Sequence, residues 1–279
     1  MIRLFASDLD GTLLNEKHEL DQVIEDSLKK VIDKGGIFSV ATGRSPEMVN
    51  FGDLNEQIYR ICMNGSAIFN PQNQLIHQEE IDKKVLYALL DQFPQMYFEC
   101  ITPTQTFLRQ EKEEYLEVMI NRRTPLSRPE NWAKRFQDRV EYHMQFSCSN
   151  DSIVSQAICK VNCMVHDPQE TKRLNDYLLT QGAGLRNAPS FQGGFEITKE
   201  GVHKGNAILW LAKHLGIRED EVAVYGDGGN DLEMLKMFSH SYAPNTASEL
   251  ALKCASAIIG PYQEHSVAKH MEQIITGKI

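Results

Sequence analysis

The chain has 279 residues, with 29 basic against 38 acidic side chains and a net charge of −9. That balance disfavours nucleic acid as a partner, and no apolar run approaches the ~18–20 residues of a membrane span. Nor does the start read as a signal peptide, since Asp8 and Asp10 interrupt its short apolar run; a cytoplasmic location is expected. Length permits a large core and one or two domains.

Residues 2–8 (IRLFASD) read as a buried, parallel-type strand that exits into Asp8-Leu9-Asp10-Gly11-Thr12. Two carboxylates two residues apart therefore sit at a strand's carboxyl end, where open α/β sheets bind ligands. Facing one pocket, they would repel by about 4 kcal/mol at ~4 Å and an effective dielectric of ~20. Such a pair needs a cation, a shared proton, or the plainer role of capping the next helix.

A helix is expected from about Asp21 to a stop at Gly35, with Val23, Ile24, Leu28, Val31 and Ile32 at helical spacing. The next strand, IFSVA (37–41), ends in a second polar, glycine-containing turn, Thr42-Gly43-Arg44-Ser45. A further helix is expected near Pro46–Asn55, then two short apolar runs around Asn64-Gly65. This beginning predicts a doubly wound parallel sheet.

After about Asp82 the texture changes. DKKVLYALLDQF is helical, and MYFECIT and TFLRQ form a hairpin through Thr102–Gln105. Helices are expected at 111–121, 129–138 and 168–181, and alternating strands at VEYHMQFSCS, ICKVNCMV and GFEITK. Residues 82–194 thus read as an inserted α+β domain, leaving 1–81 and 195–279 as one α/β core. None of the six cysteines forms a Cys-x-x-Cys pair. Cys159 and Cys163 fall on one strand face as small core residues rather than metal ligands with His166.

The first texture then returns. Lys204-Gly205 opens a helix with Ile208, Leu211, Ala212 and Leu215 on its apolar face. The strand VAVYG (222–226) ends in an acidic, glycine-rich turn, Asp227-Gly228-Gly229-Asn230-Asp231. A helix at 232–238, the segment YAPNTASELALKCA, the strand SAIIG and a closing helix at 264–275 complete the sheet.

All strand carboxyl ends of a parallel sheet share one edge, so these polar clusters can converge there. Several carboxylates in one crevice suit Mg²⁺ held by side chains, water and a substrate phosphate. A hydroxyl, backbone N–H groups and a Lys would complement the other phosphate oxygens. One aspartate could attack phosphorus while the other handles the proton. Neither Walker A spacing nor a G-x-G-x-x-G fingerprint occurs.

With DLDGTL (8–13), ATGR (41–44), KG (204–205) and GDGGND (226–231) in this order, the chain resembles the haloacid dehalogenase superfamily. Within it, the long insertion between the second and third motifs resembles the Cof-type phosphatases with a large α/β cap. The resemblance implies a Rossmann-like α/β core and a cap that closes as a lid. It implies Asp8 as nucleophile and Asp10 as acid and base. Mg²⁺ would be held by Asp8, the Asp10 backbone carbonyl and Asp227, with Asp231 supporting the metal or Lys204. Leu9, Thr42, Gly43, Lys204 and Asn230 would bind the phosphoryl group, and Arg44 is either a substrate contact or an ordinary surface arginine. Two late segments depart from the family's usual pattern, Ser266 in GPYQEHSVA and the form APNTASEL.

Asp10 separates the family's chemistries, because its dehalogenases lack a second aspartate and its transport ATPases carry Thr there. The expected function is a Mg²⁺-dependent phosphatase acting through an aspartyl-phosphate on a small phosphorylated metabolite, a sugar phosphate or phosphorylated cofactor. The alternatives are a hexose phosphomutase and a non-catalytic phosphometabolite-binding regulator. No obligate protein partner is evident. In the cap, Glu99, Arg109, Arg122, Arg123 and Arg186 are candidate leaving-group contacts, each read first as a solvated surface charge.

Overall fold

The computed structural model describes residues 1–122, 132–180, 184–189 and 193–279. These fall into two compact units, Met1–Gln78 with Val202–Ile279 and Glu79–Gly201.

The first unit begins with β1 (Leu4–Ser7), whose four residues are all buried. Helix α1 (Gln22–Asp33) follows, because Asp21 caps it by accepting from the N–H groups of Val23 and Ile24. Ile24, Leu28 and Val31 face inward with no exposure, each such burial contributing about 1.5–3 kcal/mol. Strands β2 (Ile37–Ala41) and β3 (Tyr59–Cys62) continue in parallel, and β4 (Ala67–Phe69) and β5 (Leu75–Gln78) turn antiparallel.

The helix expected at 46–55 is replaced by two short 3₁₀ turns, Pro46–Met48 and Gly52–Leu54. Asn50 and Asn55 explain this. Their side-chain oxygens accept from the N–H groups of Gly52 and Phe51, competing with a helical ladder, and Gly52 takes a positive φ of 55°.

In the second unit, α2 (Lys83–Gln92) is capped by Asp82, and β6 (Glu99–Ile101) and β7 (Thr106–Phe107) form the expected hairpin. Helices α3 (Lys112–Arg122) and α4 (Trp132–Tyr142) follow. The strand expected over 140–149 shrinks to β8 (Met144–Gln145). Its first residues complete α4, Ser147 has a positive φ of 57°, and Ser149 caps α5 (Asn150–Ser155).

Then come β9 (Lys160–Met164), α6 (Pro168–Thr180), β10 (Leu185–Asn187) and β11 (Gly194–Lys199). Their sheet runs β10-β11-β9-β6-β7-β8. One face, with Cys100, Val161, Cys163, Phe195 and Ile197, packs with Leu86, Leu90 and Leu174 of the helices. The other carries the register-matched row Glu99, Asn162 and Glu196. Cys159 and Cys163 are both buried, as strand alternation predicts. A boundary at 194 would cut β11 from this sheet. Residues 194–198 pair with β9, so the unit extends to Gly201.

The chain re-enters the first unit through α7 (Lys204–His214) and β12 (Val222–Tyr225). After α8 (Leu232–Met237) come β13 (His240–Pro244), α9 (Glu249–Cys254), β14 (Ala257–Ile259) and α10 (Ser266–Ile275). Among the described residues, the core sheet has eight strands in the order β14-β13-β12-β1-β2-β3-β4-β5. The strands from β14 to β3 are parallel. From β1 the chain builds outward to β2 and β3, then resumes on the opposite side at β12. The order therefore reverses between β1 and β12, the kind of switch point at which open α/β sheets bind ligands beyond their strands' carboxyl ends.

Candidate active site

Asp8 follows β1 directly, its N–H donating to Tyr225 O at 2.9 Å. Asp227 lies two residues beyond β12, so adjacency of β1 and β12 brings together aspartates far apart in sequence. Suitable ligand atoms of Asp8, Asp227 and Asp231 all lie within 4.8 Å of one another. Gly11, at φ 75°, permits this approach, since a Cβ there would lie 2.6 Å from Asp227 Oδ2. Thr12 Oγ1 donates to Asp227 Oδ1 at 2.5 Å.

Lys204, the first residue of α7, is fully buried. Its ammonium lies 2.8 Å from Asp8 Oδ1 and 2.7 Å from Asp231 Oδ1. Burial alone would lower the Lys204 pKa, but the charges of Asp231 and Asp8 raise it above its ordinary value and keep it protonated. Asp231 is occupied on both oxygens, with Oδ2 accepting from the N–H groups of Asp227 and Gly228 at 3.0 and 2.9 Å. It thus fixes the lysine and the loop bearing Asp227 together. Gly226 allows this turn, because a Cβ there would fall 2.6 Å from Asp231 Cγ.

One lysine faces three carboxylates. Burial, reinforced by Asp231 and Asp227 and opposed by Lys204, pushes the Asp8 carboxyl well above its usual range. Burial and the charge of Asp231 push Asp227 up to about 6. An all-oxygen, negatively charged cluster of this kind fits a hard divalent cation such as Mg²⁺.

Asp10 is placed differently. Its carboxylate lies outside the triad, accepting from Arg44 Nε at 2.9 Å and Nη2 at 2.5 Å, with His18 Nδ1 2.8 Å away. Burial would raise the Asp10 pKa, but the His18 hydrogen bond and the Arg44 charge hold it at about 2. Arg44 is thereby assigned a carboxylate partner and is not an ordinary surface arginine. His18, in a left-handed turn with φ 58°, carried no signal beyond a polar loop.

The expected phosphate ligands line the same edge. Leu9 opens the turn after β1, with its side chain buried and its carbonyl accepting from Leu14 N–H at 2.9 Å. Thr42 is buried after β2, and Gly43 stands between it and Arg44. Asn230 is 5% exposed and its Nδ2 donates to Asn64 Oδ1 at 3.1 Å. Asn64 belongs to a turn with three consecutive positive φ values, 52° at Met63, 57° at Asn64 and 105° at Gly65. Each such non-glycine residue costs about 1–3 kcal/mol. An Asn-Gly pair announces a turn; its partner in the site was not legible.

The late departures from the family pattern support loops. Ser248 N–H, in the APNTASEL segment, donates to Asp227 O at 2.9 Å, and Ser266 Oγ donates to Pro261 O at 2.7 Å.

In the second unit, Glu99 is buried and accepts from Tyr115 Oη at 2.6 Å and Arg139 Nη2 at 2.8 Å. Arg109 donates to the carbonyls of Leu90, Phe93 and Met96, closing the end of α2. Neither is the solvated surface charge that was expected. Arg186 lies half-buried on β10. Arg123 and the Arg122 side chain lie outside the described residues.

The sequence matches the haloacid dehalogenase-like hydrolase family over residues 5–271. The chain belongs to this family. This haloacid dehalogenase-like chain is similar to Phosphatase YwpJ of Bacillus subtilis, with 29% identity covering 98% of this chain and 100% of that protein. It is also similar to the 5-amino-6-(5-phospho-D-ribitylamino)uracil phosphatase YwtE of the same organism, with 24% identity covering 99% of this chain and 99% of that protein. A haloacid dehalogenase-like hydrolase of known structure from B. subtilis superposes with a TM-score of 0.82 at 27% identity, covering 98% of this chain and 100% of that one. Among the described residues, no helix is long and apolar enough to cross a membrane.

Proposed function

We propose that the chain is a Mg²⁺-dependent phosphatase that hydrolyses a small phosphorylated metabolite, a sugar phosphate or phosphorylated cofactor, through an aspartyl-phosphate on Asp8. The observation that carries this reading is the clustering of Asp227 with the buried Asp8, Asp231 and Lys204 at the reversal of strand order. The phosphatase names of the similar proteins support it.

Asp8, Asp227 and the Asp10 carbonyl would hold the metal, with Asp231 fixing the Asp227 loop. Bound there, Mg²⁺ would neutralise carboxylate and phosphate charge. The Asp8 carboxylate attacks phosphorus, the bond to the leaving oxygen breaks, and Asp10 gives that oxygen a proton. Water then attacks the phosphoryl group, surrenders a proton to Asp10 and frees the Asp8 carboxylate together with inorganic phosphate. Lys204, Thr42, Asn230 and the N–H groups of Leu9 and Gly43 would hold the phosphoryl oxygens throughout.

Asp10, held at about 2 by His18 and Arg44 against the effect of burial, is ionised at neutral pH. Acid catalysis therefore requires that pKa to rise when the negatively charged substrate binds beside it. The unit Glu79–Gly201 would act as the cap that the family resemblance implies.

The test is phosphate release from p-nitrophenyl phosphate with and without Mg²⁺, followed by a panel of phosphorylated metabolites. Release that depends on Mg²⁺ supports the reading. Isomerised sugar phosphate without free phosphate would replace it with a mutase, and tight binding without turnover with a regulator.

A further inference from the structure

We infer that Asn64 is a positioning residue for phosphate binding, acting through Asn230; this rests on the reading of Asn230 as a phosphate ligand. Both side chains are buried, at 2% and 5% exposure, and Asn230 Nδ2 donates to Asn64 Oδ1 at 3.1 Å. A primary amide has two N–H bonds at a fixed angle. Spending one on Asn64 sets the direction of the other and prevents the amide from presenting its oxygen to an anion in that place.

The backbone around Asn64 carries the same assignment. Asn64 N–H donates to Thr42 O and Met63 N–H to Arg44 O, both at 2.9 Å. The turn is thus stitched to the loop that offers Thr42 and Gly43. On its other side, a Cβ at Gly65 would lie 2.7 Å from His203 O, immediately before Lys204. One left-handed turn after β3 therefore touches the three segments that would present Thr42, Lys204 and Asn230 to a phosphate.

Glycine at position 64 would satisfy the backbone with less strain than asparagine, whose φ is 57°. What glycine lacks is the side-chain carbonyl that receives Asn230. A strained non-glycine residue persisting where its side chain meets a binding group is the pattern expected of preorganisation.

The test is a double-mutant cycle with Asn64→Gly, Asn230→Ala and both together. It is read by p-nitrophenyl phosphate turnover and by calorimetric binding of inorganic phosphate, each with Mg²⁺. Thermal midpoints check folding: relief of the positive φ favours Asn64→Gly, the lost hydrogen bond to buried Asn230 opposes it, and a midpoint near that of the wild type is expected. Asn64→Gly should lower kcat/KM and weaken phosphate binding about tenfold, yet add little to Asn230→Ala.

Additive losses would show that the substitution acts elsewhere, by loosening the turn, and would overturn the assignment, as would wild-type behaviour of Asn64→Gly. A wild type that binds phosphate with the coupled pattern but releases none from the ester would defeat the phosphatase reading alone. Failure to bind phosphate would remove the role of Asn230, and that of Asn64 with it.

Discussion

Lys204 and Asp231 form a buried ion pair of 2.7 Å, neither side chain retaining any exposure. Asp231 also accepts from two backbone N–H groups, so its removal leaves two donors unpaired at once and Lys204 with Asp8 as its remaining ion-pair partner. Asp231→Ala is expected to destabilise the protein by about 3–5 kcal/mol and to abolish turnover. Urea unfolding of the variant, compared with wild type, measures the first effect. A change below about 1 kcal/mol would show that water replaces the lost partner.

Asp8→Asn should remove the nucleophile while leaving the fold intact. Phosphate release from p-nitrophenyl phosphate is expected to vanish, with the far-UV circular dichroism spectrum unchanged. Normal turnover in this variant would sink the nucleophile assignment.

The metal-free protein should lose stability as pH rises through the titration of Asp227. Its folded pKa is raised to about 6 from the ordinary 3.8, by burial and by Asp231. Between those values the folded state holds a proton that the unfolded state has released, so stability falls with rising pH and the full cost is reached above about 6. A cation bound at Asp8 and Asp227 would displace that proton and offset the cost. The rise in thermal midpoint caused by Mg²⁺ should therefore be larger near pH ~7.5 than near pH ~5. An equal shift at both would count against binding at these carboxylates.

Asp10 should matter in proportion to how badly the leaving group needs a proton. Asp10→Asn is expected to cost an alkyl phosphate at least about tenfold more in kcat than p-nitrophenyl phosphate, whose phenolate leaves readily. Equal losses on the two substrates would remove the acid role. Arg44→Gln should raise the Asp10 pKa and move the alkaline limb of the alkyl-phosphate profile to higher pH, since the guanidinium helps hold that pKa down.

Much of the core was legible because its signals are local. Strands such as β1 and β12 are short apolar runs, and α1 has both an Asp21 cap and an inward stripe. The unit Glu79–Gly201 was less legible. Val140–Tyr142 alternate with their successors like a strand but complete α4, because short apolar periodicity does not separate helix from strand. Glu99 looked like a surface charge, yet Tyr115 and Arg139 satisfy it inside the unit.

By itself the sequence determined where each polar turn leaves its strand, and hence which residues could reach one sheet edge. Only the tertiary structure decided their partners. Thr12 meets Asp227 across 215 residues, Lys204 bridges Asp8 and Asp231, and Asp10 turns instead to Arg44 and His18. Strand order decides such pairings: β12 returns to lie beside β1 after the whole insertion. The charge around Asp8 follows from that adjacency, and the partnering of Asp10 with Arg44 from the pairing of β1 with β2 on the other side.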